Sequence, residues 1–323
     1  LGPIPGPADA AGKALPLVAP GMVELQINGF GGVDLNAPGL TAGQVEEISG
    51  RLLETGITRY YPTLITGDPQ RISASVKAVA AAIDRGGLAA KMVGGIHLEG
   101  PFICSEDGPR GAHPREWCRK PDPSLLEQWQ EAAGGHVKIL TLAPELPGNM
   151  EVIRRCRQMG ITVSIGHTSA QTEDITKAVE AGARLSTHLG NGCHGMLPRH
   201  PNYIWDQLAE DSLYASMIGD GFHLPDSVLK VFHRVKGKKS VLVSDAMAYA
   251  GMEPGEYESP AIGRVVLTPG GKLHMYGKPK TLAGSASSLL QVVRHMSGIT
   301  GFAEAWDMAS VHPTTLMSGE GQA

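Results

Sequence analysis

The chain has 323 residues, enough for one large domain and a small addition. Hydrophobic residues at 42% and charged residues at 19% give a globular balance that excludes global disorder. A net charge of −4 and an aromatic content of 5% leave no electrostatic footprint for nucleic acid, no stacking platform for single strands and no polybasic membrane patch.

The 42 glycines and 23 prolines follow no repeat period, which excludes collagen, and they fall between apolar runs as loop residues do. Cys104, Cys118, Cys156 and Cys193 form no CxxC pair and no disulfide framework, and scattered thiols fit a reducing cytoplasm. No apolar run reaches the roughly 18 residues of a membrane span. Segment 1–19 is Pro/Gly/Ala-rich and lacks a basic start followed by an apolar core, so it does not read as a signal peptide.

In chain order, strand Met22–Asn28 is followed by helix Thr41–Thr55, strand Ile57–Ile65 and helix Pro69–Arg85. Strand Lys91–Leu98, helix Ser124–Ala133, strand Val137–Ala143 and helix Met150–Met159 come next. Then come strand Ile161–Gly166, helix Thr172–Ala181, strand Arg184–His188 and a short helix around Trp205–Glu210. Strand Tyr214–Gly219, helix Asp226–Val235, strand Ser240–Ser244 and, after an interruption, helix Ser287–Met296 complete the pattern. Thr41 and Thr172 read as N-caps, and Gly56, Gly160 and Gly182 fall just past helix ends. Strands apolar on both faces are buried parallel strands, and eight βα units predict a (β/α)8 TIM-type barrel. The interruption alternates and is turn-rich, which predicts a β-hairpin insertion at about 251–279. The expected organisation is a segment 1–19, a (β/α)8 barrel over 20–318 carrying the insertion, and a tail 319–323.

The ionisable residues fall at strand ends. Strand three ends in His97-Leu98-Glu99, strand five in Gly166-His167 and strand six in Thr187-His188. Strand seven runs into Asp220-Gly221-Phe222-His223, and strand eight ends in Ser244-Asp245. A parallel barrel gathers all these ends at one rim, where barrel active sites are built. One carboxylate and two imidazoles make a three-ligand metal site with an open position for water. Asp245 is then a further carboxylate able to move a proton. For any one of these residues a satisfied strand-end polar group is the plainer reading; a series on successive strand ends favours a site. His97, on the same side of its strand as Glu99, either supports the site or is simply packed. Cys193 reads as a packing thiol, and His194 and His200 stay open. His136, His233, His295 and His312 read as structural or solvated.

A series of short stretches runs along the chain: Pro20-Gly21-Met22-Val23-Glu24-Leu25-Gln26-Ile27-Asn28-Gly29, His97-Leu98-Glu99-Gly100-Pro101, Gly111-Ala112-His113 and Leu142-Ala143-Pro144-Glu145. Further along come Gly166-His167-Thr168, Thr187-His188-Leu189, Asp220-Gly221-Phe222-His223, Ser244-Asp245-Ala246 and Leu282-Ala283-Gly284-Ser285. Together they resemble the N-acetylglucosamine-6-phosphate deacetylase family of the amidohydrolase superfamily. The resemblance implies that Glu99, His167 and His188 are metal ligands, that Asp245 is the catalytic acid/base and that His113 touches the substrate carbonyl. It implies substrate contacts at Ala112, His113, Asn191, Gly192, Arg199 and His223, with backbone contact along Leu282, Ala283 and Gly284. Gln26-x-Asn28 stands where many amidohydrolases carry His-x-His for a second metal, so one divalent metal per subunit is expected. Zinc leads, and iron, cobalt or manganese are acceptable.

The implied reaction is hydrolysis of the N-acetyl group of N-acetylglucosamine 6-phosphate to glucosamine 6-phosphate and acetate. The implied setting is cytoplasmic amino-sugar catabolism by a homodimer or higher homo-oligomer, with no nucleic-acid or membrane partner. The resemblance also implies a small β-sandwich built from both chain ends. Only about 20 residues precede strand one, so the sandwich is expected to be missing, truncated or reduced to the inserted hairpin. The loop from Gly190 to Pro201 departs from the commonest family form, although Arg199 keeps its spacing from His188. Rival readings are an amidohydrolase for another N-acyl substrate and a non-catalytic sugar-phosphate binding protein. The four chemical positions Glu99, His167, His188 and Asp245 argue against the second.

Overall fold

The computed structural model describes residues 18–259 and 263–319. The expected N-terminal segment up to residue 17 and the tail from residue 320 lie outside the described residues. Eight strands form one sheet whose hydrogen-bonded neighbours all run parallel. They are β1 (Met22–Ile27), β2 (Ile57–Ile65), β3 (Ile96–Glu99) and β4 (Val137–Leu142), then β5 (Thr162–Ile165), β6 (Ala183–Ser186), β7 (Tyr214–Ile218) and β8 (Ser240–Val243). Sequence order is spatial order. The two end strands, β1 and β8, meet through an isolated parallel bridge between Ile27 and Ala246. Asp245 N–H donates to Gln26 O at 3.0 Å, and Asn28 N–H to Ala246 O at 2.8 Å. The result is a nearly closed TIM-type barrel.

Two apolar layers hold it. Outside the sheet, helix residues such as Val45, Leu52, Trp129 and Val152 bury against outward strand residues such as Leu98, Leu140 and Leu242. Inside, Val23, Leu25, Ile139, Leu185, Val241 and Val243 fill the barrel, and Leu316 of the last helix (Val311–Ser318) packs into the same cluster. Polar side chains take over at the strands' C-terminal ends, which leaves a site at that rim. No described helix is long and apolar enough to cross a membrane.

The structure departs from the sequence reading in local ways. Residues 91 and 92 belong to a short helix, Gly87–Met92, and β3 starts only at Ile96. No local cap announces that helix. Its first free N–H groups, on Leu88 and Ala89, are taken at 2.9 Å by the Glu46 carboxylate from a distant helix. Thr41 is an N-cap in a capping box with Gln44, but Thr172 is the first helical residue and Gln171 is its cap. The last predicted helix runs Leu289–Thr300 behind the Ser288 cap, and two unpredicted helices follow at Phe302–Ala309 and Val311–Ser318. The inserted segment carries four antiparallel strands rather than a two-stranded hairpin: Gly255–Ser259, Gly263–Leu267, Leu273–Met275 and Lys278–Leu282. Val265, Leu267 and Leu273 give it a small core shared with Met247 and Tyr249. A bridge from Ala246 to Ser285 ties its end back beside β8.

Candidate active site

Four side chains converge on one oxygen. Glu99, the last residue of β3, presents Oε1 to His167 Nε2, His188 Nε2 and Gln26 Nε2, each at 3.0 Å. His113 Nε2 lies 3.1 Å from His167 Nε2 and 4.0 Å from the same oxygen. Glu99, His113, His167 and His188 are all no more than 5% exposed. The ligand-type atoms of Glu99, His113 and His167 lie within 4.8 Å of one another, a grouping able to hold a metal ion.

The donor set fits a cation. His167 Nδ1 is 2.9 Å from the Pro109 carbonyl, which can only accept, so that nitrogen carries the proton. A neutral His167 then turns an unprotonated Nε2 toward a carboxylate oxygen. Two acceptors 3.0 Å apart need a proton or a metal ion between them. Burial pushes the Glu99 carboxyl up, but the surrounding imidazoles of His167, His188 and His113 outweigh it and hold the group well below the ordinary carboxylate range. Burial and the neighbouring His167 push His113 down to about 3, so its ring is neutral near pH 7. Burial works against the charged form of His188 too, yet Glu99 and Asp245 raise it.

Asp245 follows β8 and accepts a 2.7 Å hydrogen bond on Oδ1 from Asn28 Nδ2. Burial, and then the charge of Glu99, push Asp245 up to about 6. Its backbone is unusual. Among the described residues the non-glycine positions with positive φ are His167 at 52°, His188 at 28° and Asp245 at 48°. Such conformations cost energy and persist where surrounding structure imposes them, commonly at functional sites.

The loops complete the pocket. Gly192, at φ 56°, packs on the His167 ring, and a Cβ there would sit 2.7 Å from Nδ1. Gly192→Ala is expected to cost at least about 1–2 kcal/mol from the left-handed backbone alone and to turn the ring. Urea denaturation checks the first effect and the His167 imidazole resonance the second; an unmoved resonance would count against the packing role. Asn191 N–H donates to His188 O at 2.9 Å. Ala112 is exposed beside Gly111, whose own Cβ position faces His167. His223 is held by Asp220 through Nδ1 at 2.7 Å. Gly284, at φ 106°, lies close against Met247, and the Ala246–Ser285 bridge brings Leu282, Ala283 and Gly284 near the residues that follow β8. Arg199 stands apart: it is exposed and makes no hydrogen bond or ion pair among the described residues.

Residues left open by the sequence now have places. His97 bonds Leu25 O at 3.0 Å and Thr141 Oγ1 at 2.8 Å, within a buried polar belt below Glu99. Cys193 donates to Gly190 O, and His194 pairs with Tyr203 and Glu106. His200 is exposed. Three supporting residues stand in the stretches quoted from the sequence but were given no role there. Glu145 pins the turn after His167 through Thr168 and Ser169. Asp220 orients His223, a link its i,i+3 spacing could have signalled. Glu24 lies buried beneath Asp245, and an acidic residue inside an otherwise apolar strand was the available signal.

No family model matches the sequence. The chain is 35% identical over 301 residues to N-acetylglucosamine-6-phosphate deacetylase of Bacillus subtilis, covering 92% of this chain and 72% of the relative. It is 35% identical over 325 aligned positions to the Homo sapiens protein of the same name, covering 97% and 76%. A mutant N-acetyl-D-glucosamine-6-phosphate deacetylase from Mycobacterium smegmatis, solved in complex with N-acetyl-D-glucosamine-6-phosphate, superposes with a TM-score of 0.83 at 26% identity, covering 93% of this chain and 77% of that one.

Proposed function

The chain belongs to the N-acetylglucosamine-6-phosphate deacetylase family, its activity is removal of the N-acetyl group of N-acetylglucosamine 6-phosphate, and we propose the roles of its residues in that reaction. Glu99, His167 and His188 hold one divalent metal, with His113 beside it. Two imidazoles and a carboxylate with an open position suit zinc, and iron, cobalt or manganese accept the same set. A cation bound there lowers the pKa of a coordinated water and polarises an amide carbonyl. Gln26 and Asn28 support a single metal: carboxamides are poor zinc ligands beside imidazole, and their NH2 groups donate to Glu99 and Asp245.

Asp245 moves the proton. Asn28 occupies Oδ1, so Oδ2 takes the proton of the attacking water and later returns it to the amine nitrogen as the C–N bond breaks. His113, buried and neutral, donates its ring N–H to the acetyl oxygen as negative charge develops there. Asn191, Gly192, Ala112, His223 and the 282–284 backbone hold the sugar phosphate, with Arg199 contributed by a second copy in a cytoplasmic homodimer.

The observation carrying these roles is that, among the described residues, the non-glycine positions with positive φ are His167, His188 and Asp245. The test is acetate release from N-acetylglucosamine 6-phosphate beside unphosphorylated N-acetylglucosamine, with metal analysis of the same sample. One metal per chain and a strong preference for the phosphate ester are expected. Metal-loaded protein that releases no acetate from the ester sinks the reading.

A further inference from the structure

β1, which forms the barrel's seam with β8 beneath Asp245, is irregular in its pairing with β2 on the other side. Between Glu24 and Ile27, β1 advances three residues while its partner β2 advances two, from Tyr60 to Pro62. This is a bulge, a device that re-aims side chains and leaves backbone groups without ladder partners. It comes where Gln26 and Asn28 turn toward Glu99 and Asp245. On the other side of the seam, Ser244 immediately precedes Asp245.

Glu24 fills the gap. Its side chain is fully buried. Oε1 accepts the Gln26 N–H at 3.2 Å, from the bulge in its own strand. Both oxygens accept the Ser244 N–H from the opposite strand, Oε2 at 3.0 Å and Oε1 at 3.3 Å. One residue higher, the seam returns to backbone pairing, with Asp245 N–H on Gln26 O at 3.0 Å. We propose that Glu24 is a positioning residue for Asp245: its carboxyl group replaces a ladder carbonyl at the seam and sets the height and direction at which Asp245 enters the pocket.

The buried group has no ion-pair partner among the described residues. Burial pushes it up to about 8, against hydrogen bonds from Ser244 and Gln26. An uncapped N–H on either side would free the 244–245 backbone, whose φ of 48° at Asp245 has to be imposed.

This rests on Asp245 being the proton carrier, so wild type and Asp245→Asn are assayed first. Glu24→Gln keeps size and one acceptor but turns an NH2 toward one of the two N–H groups. Glu24→Leu fills similar space and accepts from neither. The full chain is compared at equal metal content and folded fraction. Misplacing a catalytic group by about 1 Å can cost roughly 100-fold. The expected series is a kcat loss of about tenfold for Glu24→Gln and about 100-fold for Glu24→Leu, graded by acceptors remaining, with KM within about threefold of wild type. A packing role alone would not grade kcat in this way. If Glu24→Leu does not fold, Glu24→Gln decides alone. The proposal is overturned if Glu24→Gln keeps kcat within about twofold, if its loss tracks metal or folded fraction, or if neither variant folds. An inactive wild type, or an active Asp245→Asn, would instead overturn the roles assigned to the site.

Discussion

Asp245→Asn is expected to keep its metal and lose most turnover. The carboxamide has nearly the same shape and can still meet Asn28, but it cannot take a proton from water or return one to the leaving amine. General acid–base assistance of this kind is worth about 10²–10⁴-fold, and the loss should fall on kcat rather than KM. Metal analysis separates the alternatives. A variant near wild-type rate means that Asp245 is not the base; one that sheds its metal means that Asp245 is chiefly a ligand. The wild-type pH profile carries the same information. The base must be ionised, so kcat falls as pH drops through the Asp245 pKa. Burial and the charge of Glu99 push that pKa up to about 6. A cation on Glu99 offsets the second cause and moves the acid limb lower. The expected limb therefore lies at or below pH 6, and one that falls with rising pH in this range would contradict the assignment.

The barrel and its rim were legible because two simple signals coincide. Apolar strands separated by amphipathic helices give the barrel, and the first ionisable residue after each apolar run gives the rim. The strand ends carrying Glu99, His167, His188 and Asp245 were placed this way to within a residue or two. What was not legible depends on partners far apart in sequence. The Gly87–Met92 helix is capped by Glu46, about forty residues earlier. The two strands added to the expected hairpin are Gly255–Ser259, which pairs in regular register, and Lys278–Leu282, an exposed, lysine-rich segment that pairs through a register shift. The bulge in β1 needs Glu24 and Ser244 to meet across 220 residues. His113 shows the same limit within the site. It lies in a loop with no periodic pattern, and only its packing against His167 brings it to Glu99, so it was found by resemblance rather than by position in a strand.

Arg199→Ala is expected to raise KM for N-acetylglucosamine 6-phosphate strongly while barely changing the poor rate on the unphosphorylated sugar. A phosphate needs cationic donors, and the planar guanidinium fork matches its oxygens. In this chain Arg199 is exposed and unpaired among the described residues, yet it belongs to the loop that leaves His188. An exposed cation in that loop is free to serve the phosphate site proposed in a second copy. Losing a charged hydrogen bond costs about 1.5–3 kcal/mol, which is roughly 10- to 150-fold in KM. Equal losses on both substrates would mean that the arginine supports the fold or the assembly instead of reading the phosphate. A mixed dimer sharpens the test. Pair one Arg199→Ala chain with one Asp245→Asn chain. If the arginine acts across the interface, the Asp245→Asn chain's site carries both defects and its partner's site carries neither, so about half the activity survives. If it acts within its own chain, each site carries one defect and little activity remains at low substrate.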